Sequence, residues 1–151
     1  MSHDDTIDTL NDLIETSKDG EYGFRTSAEH LRNAESKALF ERRAEECREA
    51  AAVLQALVMR LGGKAEDSGT VAGAAHRGWV AVKATLAGYT DKAILEEAER
   101  GEDTALATYR TALEEDLPQD VRDVIERQYE GLKRNHAQVR AMRDRARLAV
   151  S

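Results

Sequence analysis

Proline occurs once in 151 residues, at Pro118. A β-rich chain of this length needs many proline- and glycine-containing turns, whereas long proline-free stretches rich in Ala, Glu, Arg and Leu favour helices. The length suits one domain, residues 1–151, with one core. With 41% hydrophobic and 34% charged residues, the composition fits a folded chain with a heavily solvated surface, not a disordered one.

Apolar residues recur at helical spacing in four long segments. The first predicted helix covers about 5–32, capped by Asp5 or Thr6, with Ile7, Leu10, Ile14, Ser17, Phe24, Ala28 and Leu31 on one face. Gly20 and Gly23 lie inside it against helix propensity, and point to a close helix crossing or a kink. The second covers 35–61, with Phe40, Cys47, Ala50, Leu54, Leu57 and Leu61 inward, and Gly62–Gly63 ends it. The third covers 91–116, capped by Thr90 or Asp91, with Ile94 or Leu95, Ala98, Ala105, Tyr109 and Leu113 inward. Pro118 suits the first turn of the fourth, 118–147, which turns Val121, Ile125, Leu132, Val139 and Met142 inward.

The links between these helices are short, long and short. The long one, 62–90, contains a stretch (70–88) that reads as a short amphipathic helix, with Trp79 as a packing anchor. Short links make antiparallel hairpins, and a connection of that length exceeds a tight turn. The pattern predicts an all-α, ferritin-like four-helix bundle: two hairpins joined by a crossover that travels the bundle's length.

Several charged residues continue the apolar stripes. Glu21 follows Ser17, Glu102 lies between Ala98 and Ala105, and His136 lies between Leu132 and Val139. Glu46 and Glu49 flank Cys47, and Glu99 stands near the same stretch of the third helix. A rise of about 1.5 Å per residue puts Glu21, Glu46, Glu102 and His136 near one depth if the crossover is long. Up-down-up-down connectivity would separate the two pairs by roughly 9 Å.

A buried carboxylate is costly unless paired, protonated or bound to a cation. One reading is therefore a divalent metal (iron, manganese or zinc) held by Glu21, Glu46, Glu102 and His136, with Glu49 and Glu99 as further ligands. Lys133 stands three residues before His136, where the Glu-x-x-His pattern of carboxylate-bridged sites needs a Glu. That leaves enough ligands for a single ion. The other reading is a salt-bridge network in which Arg43 and Lys133 neutralise the carboxylates without metal. No residue pattern specifies a small-ligand cavity between the helices.

The net charge of −7 and pI of about 5.2 argue against nucleic-acid and anionic-lipid partners. Basic residues Arg140, Arg143, Arg145 and Arg147 read as cations at a helix C-terminus. Cys47 has no partner for an internal disulfide and no histidine to activate it. The first ten residues lack a secretion signal, and no apolar run approaches the roughly 20 residues needed to span a bilayer. These features predict a cytoplasmic protein. His3, His30 and His76 read as surface or frayed positions, and Tyr22, Tyr109 and Tyr129 as packing residues.

Four segments, LNDLIETSKDGEYGF (10–24), HRGWV (76–80), ILEEAERGED (94–103) and ERQYEGLKRNH (126–136), carry a family resemblance. The chain resembles, over about residues 6–145, a bacterial ferritin-like four-helix-bundle family of unknown function, distantly related to rubrerythrins. The resemblance implies the ferritin-like fold, a bacterial cytoplasmic setting and a stress-related or metal-linked role. It brings no ligand set with it. A non-enzymatic bundle acting through a homo-oligomer or a protein partner is the competing function.

Overall fold

The computed structural model describes residues 3–65 and 90–149. They form four helices: α1 (His3–His30), α2 (Ala34–Arg60), α3 (Asp91–Leu113) and α4 (Gln119–Ala149). No strand occurs among the described residues. The predicted crossover helix with Trp79, and His76, lie outside them.

Local chemistry fixes the helix ends. The Asn33 side chain accepts from the Ser36 N–H at 2.9 Å, and Thr90 Oγ1 accepts from Ala93 N–H at 3.2 Å. Each satisfies a donor that the first turn leaves open. At the end of α2, Gly62 N–H donates to the Met59 carbonyl and Gly63 N–H to the Val58 carbonyl, both at 3.0 Å. Gly62 has φ +82°, which glycine adopts without penalty. A Cβ on Gly63 would lie 2.6 Å from Ile7 Cδ1, so this cap also lets the α1 start approach. Pro118 stands just before α4, and its carbonyl accepts the first helical bond, from Arg122 N–H at 2.9 Å. α1 begins earlier than predicted, and Thr6, expected as a cap, is a fully buried helical residue.

Contacts between the helix ends set their directions. The Asp91 carboxylate accepts from the backbone N–H groups of Arg32 (2.9 Å) and Asn33 (2.8 Å), so α3 begins beside the α1–α2 turn. Arg145, late in α4, lies 3.6 Å from Glu35 at that same end. At the opposite end Arg60 pairs with Asp120, and Asn11 donates to the Lys64 carbonyl at 3.2 Å. Thus α1 and α4 run one way and α2 and α3 the other. The chain leaves α2 at one end of the bundle and enters α3 at the other, the connectivity of a ferritin-like fold. α1 packs chiefly on α2 and α3 on α4, with α1 also lying along α3.

The core divides into two apolar clusters. One, near the α1–α2 turn, includes Phe24, Phe40, Ile94, Leu95 and Val139. Phe24 and Phe40 meet edge to face with centroids 5.0 Å apart. The other, at the far end, includes Leu10, Ile14, Leu54, Val58, Val121 and Ile125. Polar residues from all four helices occupy the level between them.

Candidate metal centre and polar layer

Between the clusters a cavity of about 610 Å³ is lined by residues of all four helices, among them Ser17, Arg43, Cys47, Glu102, Tyr109 and Gln128. Small side chains make room for it. Gly20 faces α2 so closely that a Cβ there would stand 2.9 Å from Cys47 Sγ, which makes it a close-crossing glycine. A hydrogen-bonded belt crosses the layer. Ser17 Oγ and Tyr109 Oη are 3.4 Å apart, Tyr109 O–H donates to Gln128 Oε1 at 2.7 Å, and Gln128 Nε2 donates to the Ala50 carbonyl at 3.3 Å. Burial pushes the Tyr109 hydroxyl up to about 12, with the Ser17 hydrogen bond opposing it. Burial likewise raises the Cys47 thiol to about 11. Cys47 is therefore a packed, buried thiol.

Arg43 and Glu102 form the centre of this layer. Arg43 is 4% exposed and Glu102 3%. Arg43 Nη2 donates to Glu102 Oε2 at 3.5 Å, and Nη1 lies 3.8 Å from Glu46. The guanidinium also lies over the Phe24 ring, 5.1 Å from its centroid. Burial raises the Glu102 carboxyl to about 7, while Arg43 works against that shift and Asp103 and Glu99 add to it. Glu102 Oε1 and Arg43 Nε have no hydrogen-bond partner. Lys133, the other cation foreseen here, instead pairs with Glu130 at 2.8 Å on an exposed face.

A second polar group lies on the seam between α3 and α4. Glu99 and Asp103, one turn apart, face His136, and one ligating atom from each lies within 4.8 Å of the others. Among the described residues this is the group of three carboxylate, imidazole or thiol side chains that converges so closely. His136 is 8% exposed. Its Nε2 lies 2.7 Å from Asp103 Oδ1, yet the contact lacks hydrogen-bond alignment and Nε2 remains without a hydrogen-bond partner. The Glu99 side chain, 12% exposed, also pairs with Arg143.

The structure thus distributes the six residues singled out in the sequence. Glu102 and His136 are buried as expected, but Glu102 lines the interior cavity and His136 the α3–α4 seam. Glu99 joins His136. Glu46 and Glu49 line the mouth of the cavity, the former with 42% of its side chain exposed. Glu21 is drawn sideways to Arg25 at 2.8 Å, and the inward position one turn beyond Ser17 belongs to Gly20. Asp103 and Arg143 were missed. The i, i+4 spacing of Glu99 and Asp103 was the available signal, hidden because Asp103 sits off the apolar stripe.

The interior layer does not fit a bound ion, since the Arg43 guanidinium already stands against Glu102. The seam trio does fit one: two hard oxygen donors and an imidazole with its buried nitrogen unsatisfied.

Solved structures share this fold. A dodecameric thioferritin, the bacterioferritin-related protein of Bacteroides fragilis, superposes with a TM-score of 0.78 at 16% identity, covering 99% of this chain and 90% of its own. A point mutant of Mycobacterium smegmatis Dps1 superposes with a TM-score of 0.77 at 15% identity, covering 94% and 99%. The bundle is therefore ferritin-like in architecture. No curated protein matches the chain. A domain of unknown function, DUF2383, matches residues 5–115, and the chain belongs to that family.

Proposed function

We propose that this ferritin-like bundle binds one divalent cation at Glu99, Asp103 and His136. The observation that carries the reading is the convergence of Glu99, Asp103 and His136, one ligating atom of each within 4.8 Å of the others. Two carboxylates and an imidazole suit iron, manganese or zinc. Such an ion supplies Lewis acidity when bound. Glu99 and His136 hold one side of the site inside the seam, and Asp103, with 58% of its side chain exposed, leaves the other open to solvent. Arg143 competes for Glu99, so the affinity is modest. Glu21, Glu46 and Glu49 stay outside this ligand set, and Glu102 has a supporting position behind it.

Equilibrium dialysis of the chelator-stripped protein against zinc, manganese and anaerobic ferrous iron tests the reading. One ion per chain is expected, with affinity lowered by about tenfold or more in His136→Ala and Asp103→Asn. Glu102→Gln should keep the site. Uptake indifferent to His136→Ala overturns the proposal.

A second reading, a structural bundle that acts by self-association, is favoured by the Arg43–Glu102 pair, which neutralises the interior layer without metal. Exposed Val53, Met59 and Leu148 supply apolar surface for contacts between copies. It predicts a stable oligomer on sedimentation and a melting temperature unchanged by added iron, manganese or zinc.

A further inference from the structure

The interior cavity has a chemistry of its own. Among the described residues four buried side-chain atoms lack a hydrogen-bond partner, and three of them belong to residues lining this cavity: Asp19 Oδ1, Arg43 Nε and Glu102 Oε1. Arg43 and Glu102 are more than nine-tenths buried. Orphaned polar atoms of this kind are costly to bury, and two of them belong to side chains that meet at 3.5 Å, Arg43 from α2 and Glu102 from α3. The volume, about 610 Å³, lies within the usual range for small-molecule sites, roughly 300–1,000 Å³. Phe24, Val53, Ala98 and Leu132 supply apolar wall.

The orphans define what fits. Two carboxylate oxygens need donors and one guanidinium N–H needs an acceptor. The lining carries four carboxylates (Asp19, Glu46, Glu49, Glu102) against two guanidiniums (Arg43, Arg127), so it favours a cation over an anion. The geometry points to a binding site for a small organic amine with an apolar body and one oxygen acceptor, its ammonium taken by Glu102 Oε1 and its oxygen by Arg43 Nε, with Asp19 elsewhere on the wall adding to the negative field. The mouth beside Glu49, Val53 and Arg127 provides entry. This inference is independent of the seam: it uses other residues and requires no metal.

Phenylethanolamine, its diol analogue and mandelate share a phenyl ring and a benzylic hydroxyl and differ in the amine, hydroxyl or carboxylate at the far end. Their binding to the full chain, followed by protein-observed NMR in the presence of chelator, tests the site. The amine should bind at least about tenfold more tightly than the diol, and mandelate not at all. Glu102→Gln should weaken the amine by about tenfold. Ala105→Phe, which fills the cavity while keeping every charged side chain, should block it, and Asp120→Asn, at the far end of the bundle, should leave it unchanged. Equal binding of the three probes, or amine binding that survives both Glu102→Gln and Ala105→Phe, overturns the inference.

Discussion

Glu102 and Asp103 are neighbours on α3, yet the Glu102 side chain is 3% exposed and held by buried Arg43, while that of Asp103 is 58% exposed and leans on His136. A helix turns about 100° per residue, so the two acids leave α3 about 100° apart, one toward the interior and one toward the α4 seam. The pairing that results differs in kind. Removing one partner of a buried ion pair strands the other in a medium that solvates it poorly, whereas an exposed acid returns to water at little cost. The interior pair therefore carries more of the fold's stability, and the seam is where an exposed acid can exchange between His136, water and a metal ion.

The largest expected effect tests that contrast directly. Arg43→Leu should lower the free energy of unfolding at pH 8 by about 3–5 kcal/mol, against less than about 1 kcal/mol for Asp103→Asn. Similar losses in urea denaturation would erase the distinction between the two sites.

Next is the pH dependence. Burial raises Glu102 from 4.5 to about 7, so the folded state holds a proton that the unfolded state releases. The stability this group contributes is full below pH 4.5 and is lost as pH rises through 7, by about 3 kcal/mol in all. Asp19, raised to about 6 by burial and by Glu15, acts in the same direction. Subtracting the Glu102→Gln profile from that of the wild type isolates the interior carboxyl, and parallel profiles would assign the dependence elsewhere.

A third test concerns what sets the depth of the polar layer. Gly20→Ala should cost about 1–3 kcal/mol through its clash with Cys47 Sγ, offset by about 1 kcal/mol of helix propensity. Cys47→Ala in the same chain should remove the penalty, a coupling that a double-mutant cycle reads. The smallest effect is expected for Tyr109→Phe, about 1 kcal/mol in thermal or urea unfolding, because Gln128 Oε1 then loses its donor.

Much of this arrangement was legible in the residues. Four proline-free stripes, Gly62–Gly63 and the short–long–short links specify helices, ends and connectivity, because each rests on local chemistry. Glu102 and His136 were placed inward by the same periodicity. It turned Glu21 inward as well, where the structure puts Gly20, because Ser17 to Glu21 and Ser17 to Gly20 are both one turn and only the close approach of Cys47 selects the glycine. The seam trio was half hidden for a similar reason. Stripe arithmetic finds residues on a buried face, while Asp103 joins His136 from a helix shoulder, where only the packing angle of α3 on α4 decides contact. The interior cavity depends on the volumes of side chains from all four helices, which no single periodicity reports.

The opposite-end entry of α3 makes tether length a selector of topology. α2 has 27 residues, so at about 1.5 Å each a connection must reach roughly 40 Å. An extended chain spans at most about 3.3–3.6 Å per residue, which puts the minimum near a dozen residues. Trimmed below that, the chain could close the bundle only by sending α3 the other way, its first turn torn from the Arg32 and Asn33 amides and Glu102 carried away from its guanidinium. The loop's reach, as much as any side chain, keeps that ion pair together.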